Sequence, residues 1–253
     1  MCKIKDRTGE VGVNNDGEEM RIIRYGGAND IDVRFIKDGT IVEHKQYSHF
    51  KVGSIKNPYF PSVWGVGFIG KGKFKPFDGN GKPTKCYRVW VCMLRRCYDP
   101  KYHEKEPTYK GCTVCQEWWN FQVFAEWYYS HYYEIGNEIM ALDKDILHKG
   151  NKVYSANTCV FVPVSINSLF TKRNAERGEL PIGVSKVGNK FKAQLNKDNE
   201  YIHLGVFNTP EEAFLAYKQT KESYIKEVAN KYKLLIPHEL YQALMNYDVE
   251  IND

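Results

Sequence analysis

Residues 189–195 read Asn189-Lys190-Phe191-Lys192-Ala193-Gln194-Leu195, and residues 201–207 read Tyr201-Ile202-His203-Leu204-Gly205-Val206-Phe207. In the first run Phe191, Ala193 and Leu195 recur at period two against Lys190, Lys192, Gln194 and Asn196, the alternation of a strand with one dry and one wet face. Strict alternation in the second run assigns Ile202, Leu204 and Val206 to the dry side, and Tyr201 and His203 to the wet side. A helix start follows in Thr209-Pro210-Glu211-Glu212-Ala213. Thr209 suits the N-cap, Pro210 the first helical position, and Glu212 lies three residues after the cap. Ala213, Phe214, Ala216, Tyr217 and Tyr224 then make a stripe able to cover the sheet. With Pro181-Ile182-Gly183-Val184-Ser185-Lys186 ahead of it, the segment 181–232 is expected to be a three-stranded sheet plus a helix. Its exposed face is basic, amide-rich and aromatic, which is the chemistry of a major-groove reader.

This segment resembles the Apetala-two/ethylene-response-factor type of DNA-binding domain. The matching residues are Gly183-Val184, Lys190-Phe191, Ala193, Leu204-Gly205-Val206-Phe207, Thr209 through Ala213, and Ala216-Tyr217. The resemblance implies DNA contacts from Lys186, Lys190, Lys192, Gln194, Tyr201 and His203. Arginines are fewer than in the family, and His203 stands where the family often carries a tryptophan; weaker base readout or a different site is implied. A solvated face on a packing module is the alternative reading.

The bulk numbers permit this reading without requiring it. The chain has 253 residues, a formal net charge of +5, 14% aromatic residues and 18 tyrosines. That charge suits nucleic acid but is mild. No run of about 18 uninterrupted apolar residues exists, so no membrane span is expected. The start, Met1-Cys2-Lys3-Ile4-Lys5-Asp6-Arg7, lacks an apolar signal core, so an intracellular, cytoplasmic protein is expected. The 7 cysteines are expected to be reduced. Cys112-Thr113-Val114-Cys115 has zinc-ligand spacing, with Cys92, Cys97 and Cys159 as available partners. Buried thiols are preferred to a structural zinc.

The expected architecture is α+β. Residues 1–58 form an N-terminal β-rich module around a hairpin, in which Ile31, Val33 and Phe35 alternate before a Lys37-Asp38-Gly39 turn and Ile41 resumes. Its basic edge, His44, Lys45, Lys51 and Lys56, is either a second DNA contact or a solvated face. Residues 59–84 read as a connector rich in Gly, Pro and aromatics. Residues 85–175 carry helical runs at 86–97 and 118–133. Trp118, Phe121, Phe124, Ala125 and Tyr128 there read as core. Residues 233–253 form a helical tail with an acidic end.

Between 138 and 170 the order is strand, glycine-containing hairpin, strand and a helix starting near Ser165. Such a ββα unit can bring Asp143 and Asn167 together as oxygen ligands for one divalent ion against a phosphodiester. Here the chain resembles phage HNH-type (His-Me finger) homing endonucleases. The match runs from Trp90-Val91-Cys92-Met93 and Arg96-Cys97-Tyr98, through Tyr109-Lys110-Gly111, Val114-Cys115 and Trp118, to Leu142-Asp143-Lys144-Asp145 and Tyr154-Ser155-Ala156-Asn157-Thr158-Cys159. The resemblance implies a central ββα-metal domain at 85–175. It makes Asp143 and Asn167 metal ligands, Asn157 a hairpin brace, and Lys144 the occupant of the usual histidine general-base position. A lysine takes a proton from water only where burial or a cationic neighbour lowers its pKa. A cation supporting the phosphorane or leaving oxygen is therefore its implied catalytic role. His148 substitutes only if the hairpin folds back.

Two functions remain open. One is a magnesium-dependent HNH-type homing endonuclease that cuts or nicks double-stranded DNA, with no small-molecule cofactor and no membrane partner. The other is a DNA-binding regulator on the same scaffold, without catalysis.

Overall fold

Ile31, Val33 and Phe35 point inward as their spacing predicts, and their strand lies within a four-stranded antiparallel sheet. The computed structural model describes residues 5–171, 179–198 and 200–251. In it the sheet runs β1 (Val11–Val13), β2 (Glu19–Tyr25), β3 (Ile31–Phe35) and β4 (Ile41–Lys45), in chain order. Gly39 supplies the turn before β4 with φ of +75°, and the Asp38 carboxylate accepts the Thr40 amide at 2.9 Å. Met20 and Ile22 of β2, Phe50 of α1 (Tyr47–Lys51) and Ile55 complete the core of this module. The expected hairpin thus grows by two strands. β1 is three residues long and mostly exposed, so alternation had little there to reveal.

The chain divides into two compact units, residues 1–129 and 130–253. In the first, α2 (Lys85–Tyr98) begins at Thr84, whose hydroxyl accepts the Tyr87 amide at 3.2 Å. It buries Cys86, Trp90, Met93, Leu94 and Cys97, one helical stripe. α3 (Pro100–Lys105), β5 (Thr113–Val114) and α4 (Phe121–His131) follow. Trp118, Phe121, Phe124, Ala125 and Tyr128 are buried core. The connector is fastened along its length by backbone and amide bonds. The Phe68 amide donates to Trp119 O at 2.9 Å, the Phe121 amide to Phe68 O at 2.9 Å, and Gln122 Nε2 to Phe74 O at 2.9 Å.

The second unit contains β6 (Met140–Asp143), β7 (Val153–Tyr154), β8 (Val160–Pro163) and α5 (Val164–Asn167). Next come β9 (Val184–Val187), β10 (Lys190–Lys197) and β11 (Glu200–Phe207), then α6 (Pro210–Tyr232) and α7 (His238–Met245). One apolar cluster joins Val160, Val162 and Ile166 of the hairpin region to Ala193 and Leu195 of β10, Phe214 and Ile225 of α6, and Leu240 of α7. Hairpin and three-stranded sheet therefore share a core. Among the described residues, no helix is long and apolar enough to cross a membrane.

Candidate functional site

The three-stranded sheet has the order β11-β10-β9, antiparallel throughout. Directly paired residues share a face, so the register assigns every side chain. Val184 opposite Ala193, Leu195 opposite Ile202 and Phe191 opposite Phe207 lie on the side of α6. Ser185 opposite Lys192, Val187 opposite Lys190, Gln194 opposite His203 and Asn196 opposite Tyr201 lie on the other. Two expectations change. Strict alternation placed Val206 inside, yet Val206 pairs with Lys192 on the outer face and is 48% exposed. The cause is a β-bulge: Ala193 pairs with Gly205 but Gln194 pairs with His203, leaving Leu204 as the extra residue. Gly205 has φ of +134°, a conformation that a side chain would strain. The second change concerns Lys186, which pairs with Phe191 and so stands on the helix-side face, exposed at the edge strand.

The outer face thus carries Lys190, Lys192, Gln194, Tyr201 and His203 together. Tyr201 is 67% exposed. Among the described residues of the three strands, no carboxylate points to this side. The helix that closes the inner face is held by a capping box: Thr209 Oγ1 accepts the Glu212 amide at 3.2 Å, and Glu212 Oε2 accepts the Thr209 amide at 3.2 Å.

In the hairpin, β6 and β8 pair with Asp143 opposite Val160 and Met140 opposite Pro163. Asp143 Oδ1 accepts the amides of Asp145 at 2.8 Å and Ile146 at 2.7 Å, which turns the chain out of β6. Burial, and then the neighbouring Asp145 carboxylate, raise the Asp143 carboxyl to about 6. Lys144 is buried and turned inward. Its ammonium lies 3.3 Å from Asp145 Oδ2 and 5.8 Å from the centroid of the buried Tyr154 ring.

Asn157 is exposed on the turn before β8 and makes no side-chain hydrogen bond among the described residues. Bracing falls to Asn151, whose Nδ2 donates to Lys144 O and Val153 O, both at 2.7 Å, and to Thr158, whose hydroxyl donates to Val153 O at 2.8 Å. Asn151 follows Gly150, which has φ of +81°, and that Gly-Asn pair was the sequence signal for it. His148 is exposed on the same loop. Asn167 ends α5, which leaves β8 at Pro163, opposite Met140. From there Asp143 lies three residues along β6, about 10 Å at the usual strand rise. Among the described residues, no hydrogen bond joins Asn167 to Asp143. The two acidic groups the fold brings together are Asp143 and Asp145.

The chain matches no known family, characterised protein or solved structure.

Carboxylate oxygens suit a hard divalent ion of the magnesium class. At the hairpin the neighbouring carboxylates are Asp143, raised first by burial and then by Asp145, and Asp145, already 3.3 Å from the Lys144 ammonium. Among the described residues, three or more acidic, His or Cys ligand atoms converge only at Asp30, Asp32 and His44, within 4.8 Å of one another. Arg24 already claims both carboxylates there, through Nη2 to Asp30 Oδ1 at 2.7 Å and to Asp32 Oδ1 at 2.8 Å. Its guanidinium, followed by His44, holds the Asp30 carboxyl far below the usual range. This is a closed ion-pair network. Of the cysteines, Cys86, Cys97, Cys112 and Cys159 are buried and Cys92 is exposed, while Cys2 lies outside the described residues. Burial pushes the Cys86 thiol up to about 12.

Sequence reading passed over Lys221. It sits in the middle of the α6 stripe between Tyr217 and Tyr224, is buried, and makes no hydrogen bond or ion pair among the described residues. Desolvation alone lowers its ammonium to about 8. The signal was the stripe itself, in which Lys221 stands four residues after Tyr217 and three before Tyr224.

Proposed function

We propose that the protein binds double-stranded DNA through the outer face of β9, β10 and β11. We further propose that it hydrolyses a phosphodiester at the Asp143 hairpin, as a metal-dependent endonuclease of the HNH type. The observation that carries this reading is the outer sheet face, where two lysines, an amide, an imidazole and a phenol stand together without an acid. Beyond Ala193, where the β9 ladder ends, β10 and β11 continue as a two-stranded ribbon, an element the roughly 12 Å major groove admits. Lys190 and Lys192 would bind phosphates, while Gln194 and His203 would face base edges.

At the hairpin, Asp143 and Asp145 would hold a magnesium-class ion, with Asn167 as a further oxygen donor. When bound, such an ion polarises the phosphate and acidifies water. Asp143 is positioned by the two amides on its Oδ1. Lys144, buried and held against Asp145, would fix that carboxylate from the inner side.

A second reading, binding without cutting, draws support from Asn157 standing exposed on its turn and from the lack of a hydrogen bond between Asn167 and Asp143. A supercoiled-plasmid assay with Mg²⁺ or Mn²⁺ separates the two. Nicking by the wild type that is lost in Asp143→Ala and reduced in Asn167→Ala is expected. Duplex binding with no nicking in either metal would reject the nuclease and leave the regulator.

A further inference from the structure

A tight turn in the first unit carries an indole on a strained backbone. Trp64 and Gly65 both have positive φ, +52° and +75°, and the Val66 amide donates to Val63 O at 3.3 Å. Two left-handed central residues make a type I′ turn, whose first central position is ordinarily Asn, Asp or Gly. A bulky side chain there is an outlier, and such strain persists only where the surroundings hold it. Here they do. Val63 and Gly67 exchange backbone hydrogen bonds at 2.9 and 2.8 Å, and a Cβ on Gly67 would lie 2.5 Å from Leu94 Cδ1 of α2. The indole held this way is not core, for Trp64 is 38% exposed.

Cations and rings alternate beside it. The Arg95 guanidinium lies 6.0 Å from the Trp64 ring centroid and 5.2 Å from that of Tyr102. The Tyr102 and Tyr109 centroids are 5.7 Å apart, and the Arg96 guanidinium lies 5.7 Å from that of Tyr109. The buried Asp99 carboxylate accepts Arg95 Nε at 3.2 Å and the Lys101 amide at 3.0 Å. The Nη atoms of the exposed Arg95 make no hydrogen bond among the described residues. Over residues 95–110, five Lys and Arg outnumber three carboxylates.

We propose that this row binds single-stranded DNA, with Trp64 stacking on an unpaired base and Arg95 and Arg96 meeting the flanking phosphates. Guanidiniums already seated at the rings oppose a cationic guest. An exposed indole beside them suits a flat base carried on a phosphodiester strand. A duplex keeps its bases inside the stack and would offer the indole no partner. The single strand is inferred from this row alone; the choice of DNA over RNA rests on the duplex reading of the sheet face.

Fluorescence anisotropy with a labelled oligodeoxyadenylate tests it, in the full chain carrying Lys190→Ala and Lys192→Ala so that the sheet face does not contribute. That chain should bind, and adding Trp64→Gly should weaken binding about tenfold, the order of one lost base stack. Glycine relieves the left-handed strain, so the melting temperature should hold or rise. Trp64→Phe should keep most of the affinity. Arg95→Gln should reduce the slope of log affinity against log salt by about 0.7. A lower melting temperature with unaltered affinity in Trp64→Gly would make the indole a packing residue and overturn the proposal. Absence of binding by the parent chain overturns it too. Tighter binding of an oligoadenylate of the same length would overturn the choice of DNA. Duplex binding by the wild type, measured alongside, reports separately on the sheet face.

Discussion

Two ionisable side chains, the half-buried Asp143 and the buried Lys221, are displaced from their ordinary titrations in opposite directions and leave opposite marks on stability. The Asp143 carboxyl is raised to about 6, so the native state holds its proton longer than the unfolded chain does. Its contribution is fully present at low pH and is lost as pH climbs from about 4 through about 6. Asparagine keeps the acceptor for the two amides without the charge. Asp143→Asn should therefore be more stable at pH 7 by roughly 1–3 kcal/mol and should lack that slope in urea titrations between pH 4 and 7.5. Added Mg²⁺ should raise the wild-type melting temperature more at pH 7.5 than at pH 5, and should not raise that of the variant. Lys221 has the other sign: its ammonium, lowered to about 8, deprotonates sooner in the native state. Stability should rise with pH from about 8 toward about 10, and Lys221→Met should gain roughly 1–3 kcal/mol at pH 7 in the same measurement. Asp143 was singled out from the sequence as an expected metal ligand, whereas its raised titration comes from burial and then from Asp145, which the sequence does not display. Lys221 was written in the stripe, but a pattern search for apolar residues reads past it. The partners of Lys144 depend on how a loop closes, which no local pattern contains.

At the level of elements, period two and the capping residues are local properties, and they located β10, the start of α6 and the β3–β4 turn correctly. The parity of β11 is not local: it depends on a bulge defined only by pairing with β10, so alternation alone put Val206 on the wrong face. Lys186 stands on the helix side by plain alternation with the buried Val184 in β9. The outer face that results makes a measurable claim. Removing both Lys190 and Lys192 should weaken duplex binding and reduce the slope of log affinity against log salt by about 2, since each phosphate contact contributes roughly 0.9. An unaltered slope would remove this face from the footprint. Ahead of β9, Gly183 has φ of +75°, and a Cβ there would lie 2.0 Å from Tyr217 Cδ2. Its carbonyl also accepts the Gln194 amide at 2.9 Å. Gly183→Ala should cost on the order of 2–4 kcal/mol, seen as an earlier urea midpoint, because the aromatic ring lies too close to clear the new methyl without repacking the core.

For the whole molecule, binding and cutting are assigned to different segments that meet in one core. Their variants should accordingly separate. Asp143→Ala should keep duplex affinity within about twofold while abolishing nicking, and the Lys190/Lys192 double variant should nick at saturating enzyme but bind more weakly. Loss of both properties in either variant would point to global damage, which circular dichroism would detect. The α+β class was legible from the chain, but the division into compact units falls between residues 129 and 130, inside the segment 85–175 expected to be one domain. The common core of hairpin and sheet was not legible, because it joins residues as distant in sequence as Val160 and Leu240. The extra residue in β11 also makes the module intolerant of length changes. Excising one codon at Leu204 would leave the composition almost intact, yet it would rotate Tyr201 and His203 toward the oily side and send Ile202 into water. A gene drifting by insertion and deletion would thus lose this face in one step, whereas point changes could only erode it.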